Sequence, residues 1–181
     1  MRFFLFRTIF INVLLTFLFF SCNPASKRPE VRKLINGHTT AILFLSSGCP
    51  MCQNYCLTLT ELYSEYKAKG IVFCAVFSGK SAEDTAEVNT FIQRYKLNFF
   101  MMSDPGKKIS EELQATVTPE VFLISSAGET LYKGSIDNWL IEPGQKRTVV
   151  TEHYLKDALK AYTSGLPIKI KSTTAKGCLI E

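Results

Sequence analysis

Apolar positions change their period along this chain. From Ala41 to Ser46 the run A-I-L-F-L-S is continuous and short enough for a buried strand. From Pro50 to Lys69 the period lengthens. Leu57, Leu59, Leu62, Tyr63 and Tyr66 lay an apolar stripe along a helix, and Gly70 stops it. I-V-F-C-A-V-F, from Ile71 to Phe77, reads as a second buried strand. Ser81 stands before A-E-D as an N-cap with an acidic first turn, opening a helix to about Tyr95. N-F-F-M-M-S, from Asn98 to Ser103, is a third strand, and D-P-G from Asp104 begins a short helix through Glu111 to Gln114. T-P-E-V-F-L-I-S and T-L-Y-K-G, parted by S-A-G-E, form a hairpin ending at Gly134. A polar loop from Ser135 to Arg147 leads to a last helix, Thr151 to Ser164, which Gly165 and Pro167 stop; the rest is extended. This order predicts an α/β fold, a central mixed sheet with helices on both faces. Right-handed crossovers would set its first strands parallel at the centre.

The N-terminus stands apart from this pattern. M-R-F-F-L-F-R carries Arg2 and Arg7, and an apolar run follows to Phe20, then S-C-N-P. A basic start, an apolar stretch of about a dozen residues and a small residue before the break describe a secretory signal. The uninterrupted stretch falls short of the roughly 20 residues that a membrane-spanning helix needs. L-F-F-S-C resembles the lipobox of bacterial lipoproteins, with Phe19 and Phe20 in place of the commoner residues. The resemblance implies a signal over 1–21, a lipidated Cys22, a polar tether over 22–30 and one domain over 31–181. Such a protein is exported and held on a bacterial membrane, facing the periplasm or the cell exterior. The formal charge of +5 shrinks once Arg2 and Arg7 leave with the signal, and the lysines are scattered. Nucleic acid is therefore not an expected partner.

Setting Cys22 aside leaves five cysteines, an odd number in a compartment where disulfides persist. Three stand in S-S-G-C-P-M-C-Q-N-Y-C, from Ser46 to Cys56. Cys49 falls at the N-cap of the first long helix, with Pro50 at the first helical position, where its missing N–H costs nothing. The unpaired N–H groups of that turn favour a thiolate at Cys49. Cys52 lies one turn further in, near enough to displace a mixed disulfide at Cys49. C-Q-N-Y-C also has the spacing of thioredoxin-fold copper chaperones, and soft thiolates suit Cu(I). Those proteins need a distant histidine as well, and only His38 and His153 exist. Cys56 reads first as a packed small residue, and Cys74, in mid-strand, as core. No cofactor is indicated.

S-S-G-C-P-M-C and T-V-T-P-E-V-F-L-I, from Thr116 to Ile124, resemble the active-site turn and cis-proline strand of the thioredoxin fold. The resemblance places Thr118-Pro119 across from the cysteines as a cis X-Pro bond. It is closer still to exported redoxin-domain proteins related to thioredoxin-like lipoproteins and peroxiredoxin-like proteins. Y-K-G-S-I-D-N, H-Y-L-K-D-A-L-K-A-Y-T-S-G-L-P and the closing A-K-G-C-L-I match in order. In that group the constant cysteines correspond to Cys49 and Cys178, and the Cys52 position often holds another residue. The resemblance implies a thiol–disulfide oxidoreductase acting on protein disulfides or dithiols, served by a membrane electron donor. Cys49 is then the nucleophile; Cys52, whose resolving role rests on its place one turn into the helix and not on the resemblance, resolves, and Cys178 is a second resolving thiol if the tail folds back. A peroxidase is the alternative: Ser46 stands three positions before Cys49, as in peroxiredoxins, yet Ile42 occupies the place of their proline. Glu120 either approaches the cysteines or is an exposed edge residue, and Trp139 either covers the site or anchors its loop.

Overall fold

The computed structural model describes residues 28–142 and 144–181. The expected signal, Cys22 and the tether as far as residue 27 lie outside the described residues. The first described element is helix α1 (Pro29–Ile35), so Pro29 and Glu30, assigned to the tether from sequence, open a helix instead. Proline suits the first helical turn, and the Glu112 carboxylate accepts the free N–H groups of Glu30 and Val31 at 3.0 and 2.9 Å.

Strand β1 (Thr40–Phe44) is buried along its whole length, because both of its faces are covered. It pairs in parallel with β2 (Val72–Ser78), which pairs in parallel with β3 (Phe100–Asp104). On its other side β5 (Glu120–Ile124) runs antiparallel, with β6 (Thr130–Gly134) beyond it, giving the order β3-β2-β1-β5-β6. Helices α2 (Pro50–Tyr66), α3 (Thr85–Tyr95) and α5 (Tyr154–Thr163) supply Leu59, Tyr66, Phe91 and Leu159 to one face, with Leu43, Phe73 and Leu123. Helices α1 and α4 (Lys108–Leu113) cover the other, over Ile42, Phe44, Cys74, Val76 and Phe122. Successive residues of β1 thus enter different core layers, which is why the strand is apolar from Ala41 onward.

Two helix starts differ from expectation. Ser81 lies in a 3-10 turn (Gly79–Ala82), its hydroxyl donating to the Ser78 carbonyl at 2.7 Å. Asp84 caps α3 in its place, accepting the Glu87 N–H at 2.9 Å, a bond shape that serine and aspartate both offer. Asp104 does not begin α4 but ends β3. Its buried carboxylate accepts from the Ser78 hydroxyl at 2.8 Å and from the N–H groups of Ile109 and Ser110 at 3.3 and 3.1 Å.

The polar loop contains a small hairpin, β7 (Leu140–Glu142) with β8 (Gln145–Lys146). The extended tail first runs along the free edge of β6. Lys133 N–H donates to the Lys171 carbonyl at 3.1 Å, and Thr173 N–H to the Lys133 carbonyl at 2.9 Å. The approach is close enough that a Cβ on Gly134, whose φ is +130°, would overlap Thr173. The tail then crosses the end of the sheet, where β9 (Cys178–Leu179) pairs antiparallel with β4 (Val117–Thr118).

Candidate active site

Strand β1 delivers the chain to Cys49, which caps α2 in an extended conformation (φ −87°, ψ 113°) ahead of Pro50. A capping residue must leave helical dihedrals, so its side chain stands beyond the first turn of the helix rather than along its flank. What it faces is Thr118-Pro119, whose peptide bond is cis. Cys49 Sγ lies 3.2 Å from the Thr118 carbonyl oxygen. Thr118 is also the register partner of Cys178. These two approaches bring the sulfurs together, and a disulfide joins Cys49 to Cys178 with their Cα atoms 6.2 Å apart.

Cys52 is a free thiol with no exposed surface. Burial pushes its pKa up from 9.0 to about 12, against the weaker opposing pull of the Ser46 N–H, 3.4 Å from its sulfur, and of the Thr118 hydroxyl. That hydroxyl is buried and has no hydrogen-bonding nitrogen or oxygen partner. Cys56 is free and buried as well; its thiol donates to the Cys52 carbonyl at 3.2 Å, and burial, with Cys52 beside it, raises its pKa to about 12. Cys74 belongs to the opposite core layer, and burial lifts its pKa to about 12. All three stay protonated near neutral pH, which makes them poor nucleophiles. Cys49 is also buried, at 1% exposure, but together with the half-buried Cys178 it lines a cleft of about 340 Å³ with Ser46, Lys80, Ser81 and Glu87. His38 and His153 are both exposed, and among the described residues no group of three or more His, Cys, Asp or Glu side chains is placed to hold a metal ion.

Glu120 follows the cis-proline and is buried, so the exposed-edge expectation does not hold. Its carboxylate accepts the Thr116 N–H at 3.0 Å and thereby shapes the turn that carries β4. Burial raises its pKa, opposed by the N–H groups of Thr116 and Val117 and by Lys133. A carboxyl with a raised folded pKa lends stability that is complete below its unfolded pKa and lost as pH rises through the folded one. Glu120→Gln is therefore expected to flatten the fall in stability above the ordinary glutamate range and to leave the protein more stable at pH 7. Urea unfolding across that interval checks it; a variant that keeps the wild-type slope assigns the slope to another group.

Trp139 anchors its loop to α2. Its ring meets Tyr55 edge-on at 5.4 Å, and the buried Asp137 carboxylate accepts both the Tyr55 hydroxyl at 2.5 Å and the Trp139 N–H at 2.8 Å. Anchoring was one of the two roles open to Trp139; sequence reasoning missed its partners Tyr55 and Asp137, and it missed the steric part of Gly177, where a Cβ would overlap the Thr118 carbonyl. For Gly177 the signal was present: a glycine directly before a tail cysteine permits close approach to another backbone.

The strand order, the cysteine at a helix N-cap and the cis-proline across from it define a thioredoxin-like α/β domain. Solved structures that share the fold include the following two. An uncharacterized conserved protein from Geobacillus kaustophilus superposes with a TM-score of 0.69 at 21% identity, covering 80% of this chain and 77% of that one. A secreted disulfide oxidoreductase of Mycobacterium tuberculosis gives a TM-score of 0.50 at 16% identity, covering 72% of this chain and 83% of that one. The chain belongs to the Redoxin family, whose model matches residues 19–138. Among its relatives is the thiol-disulfide oxidoreductase ResA of Halalkalibacterium halodurans, 28% identical over 115 residues, which are 62% of this chain and 63% of that protein. The family match takes in Cys49, Cys52, Thr118, Pro119 and Glu120 and ends before the tail that carries Cys178.

Proposed function

We propose that this protein is an exported thiol–disulfide oxidoreductase in which Cys49 exchanges with protein substrates and Cys178 is its partner thiol. The observation that carries this reading is the Cys49–Cys178 bond, formed beside a cis-proline in the lining of a cleft. In the reducing direction, the Cys49 thiolate attacks one sulfur of a substrate disulfide. A Cys49–substrate bond forms and the other substrate sulfur leaves as a thiolate. The Cys178 thiolate then attacks the Cys49 sulfur, closing Cys49–Cys178 and releasing the second substrate thiolate. Two electrons pass to the substrate, and a dithiol donor at the membrane returns them. The lipid anchor at Cys22 would hold the domain beside such a donor. Among the described residues no helix is long and apolar enough to cross a membrane.

This assignment moves the resolving role from Cys52 to Cys178. Cys52 is wholly buried with a raised pKa, whereas Cys178 is half-buried and stands in register with Thr118. The test compares Cys178→Ser with Cys52→Ala in turnover of a protein disulfide, trapping intermediates with acid. Cys178→Ser is expected to accumulate the mixed disulfide at Cys49, while Cys52→Ala turns over and still yields a Cys49–Cys178 peptide on mapping. Wild-type turnover by Cys178→Ser, with stalling by Cys52→Ala, would return the resolving role to Cys52.

A further inference from the structure

Residues 177–180 fill a slot whose walls constrain what can occupy it. The floor is β4, which pairs antiparallel through Val117 with Leu179 and through Thr118 with Cys178. At position 177 there is no room for a side chain: a Cβ would overlap the carbonyl of Thr118 and come within 3.2 Å of the Pro119 nitrogen. Those are backbone atoms beside a cis bond, so they cannot swing aside as the end of a long side chain could. Position 178 sets its sulfur on Cys49. Position 179 is open, with Leu179 73% exposed. Position 180 turns inward again: Ile180 N–H donates to the Thr116 carbonyl at 3.0 Å, and its side chain packs against the layer formed by α1, α4 and the sheet.

We propose that this slot is a sequence-selective peptide site for an extended strand reading glycine, cysteine, any residue, then an aliphatic residue. Residues 177–180 are its resident occupant. The proposal rests on Cys49 being the exchanging thiol. While the Cys49–Cys178 bond is intact, the slot is closed to any other strand. When that bond is reduced, the tail is held there by two residue pairs, the Ile180 N–H bond to Thr116, a bond from Lys80 N–H to the Glu181 carbonyl at 3.1 Å, the packing of Ile180 and an exposed Lys80–Glu181 ion pair of little worth. Upstream, Lys171 and Thr173 remain bonded to β6, so the tail swings from that edge rather than leaving the domain. A tethered tail returns at high effective concentration. An outside strand displaces it only by meeting the same steric demands, and this is how the slot discriminates among disulfide-bearing proteins.

The test uses the reduced full-length chain as Gly177→Ala/Cys178→Ser, in which the added Cβ ejects the tail and the resident sulfur is gone. The probes are Thr-Ala-Lys-Gly-Cys-Leu-Ile-Glu, a version with Ala for Gly and a version with Asp for Ile, each carrying thionitrobenzoate disulfide-bonded to its cysteine. The Cys49 thiolate attacks the peptide sulfur, the Cys49–peptide bond forms, and coloured thionitrobenzoate leaves as the thiolate. The Gly-Cys-Leu-Ile probe is expected to react about tenfold or more faster than either altered probe. Cys178→Ser alone, with its tail still seated, is expected to react more slowly with that probe than the double variant. Cys178→Ser/Ile180→Asp, which frees the tail without touching Gly177, should give the same ranking of probes. Equal rates for the three probes, or equal rates for the seated and ejected tails, overturn the selective slot while leaving Cys49 an exchanging thiol. No reaction even with the symmetrical thionitrobenzoate disulfide overturns both.

Discussion

Cys49→Ser is expected to abolish thiol–disulfide exchange, lowering the rate of protein-disulfide turnover on the order of 10³-fold or more. The thiolate is the attacking species, and a hydroxyl in its place does not ionise near neutral pH. Cys52, Cys56 and Cys74 are buried with pKa values near 12 and do not take over, and Cys178 without Cys49 has no partner sulfur with which to complete turnover. Helix α2 should persist, because serine is a favoured N-cap. The comparison that isolates chemistry from stability is Cys178→Ser, which loses the same bond. Both variants should unfold at similar urea concentrations, yet only Cys178→Ser should still form a first mixed disulfide, read by mass spectrometry of acid-trapped protein. A Cys49→Ser protein that forms that adduct at the wild-type rate would place the reactive sulfur elsewhere.

Reduction of the Cys49–Cys178 bond is expected to lower the stability of the domain by about 3–5 kcal/mol on the chain-entropy argument. The bond closes a loop with a sequence separation of 129, long enough to restrict most of the unfolded chain. The last residues are otherwise held by two β4–β9 residue pairs, by hydrogen bonds from Ile180 N–H to the Thr116 carbonyl at 3.0 Å and from Lys80 N–H to the Glu181 carbonyl at 3.1 Å, by the packing of Ile180 and by an exposed Lys80–Glu181 ion pair. Urea unfolding of oxidised and reduced protein, followed by far-ultraviolet circular dichroism, measures the difference. A change under about 1 kcal/mol would mean that reduced and oxidised unfolded chains are equally restricted, contrary to the entropy argument. By linkage, the same free energy makes the bond harder to reduce in the folded protein than in the unfolded one, so folding and redox poise are coupled through the tail.

How far the site could be read in advance depended on whether its parts are local. Cys49, Pro50 and Cys52 follow one strand and open one helix, so their placement needed only the apolar run before them and the stripe after them. Thr118-Pro119 was legible through its resemblance to the cis-proline strand, and its bond is cis. Cap positions were less secure. Ser81 and Asp84 both offer a side-chain acceptor, and the competition was decided by a 3-10 turn that the strand-end contact of Ser78 with Asp104 holds in place. Glu120 escaped because burial of a carboxylate is atypical, and only the free N–H groups of the turn before it make that burial tolerable.

What the sequence by itself determined is the succession of elements and the chemistry of the turn. Alternating periods set the strands and helices, and a cysteine before a proline set a sulfur at a helix N-cap. Both follow from interactions within a few residues, where order along the chain is order in space. What only the tertiary structure decided is which sulfur meets Cys49. Cys52 is three residues away and Cys178 lies at a separation of 129, yet the bond goes to Cys178. The choice follows from the pairing of Cys178 with Thr118, from the absence of a side chain at Gly177 and from the path of the tail along β6. Strand register between distant segments is settled by what packs at both ends of the pairing; Gly177 signals that the tail approaches another backbone, and not which one.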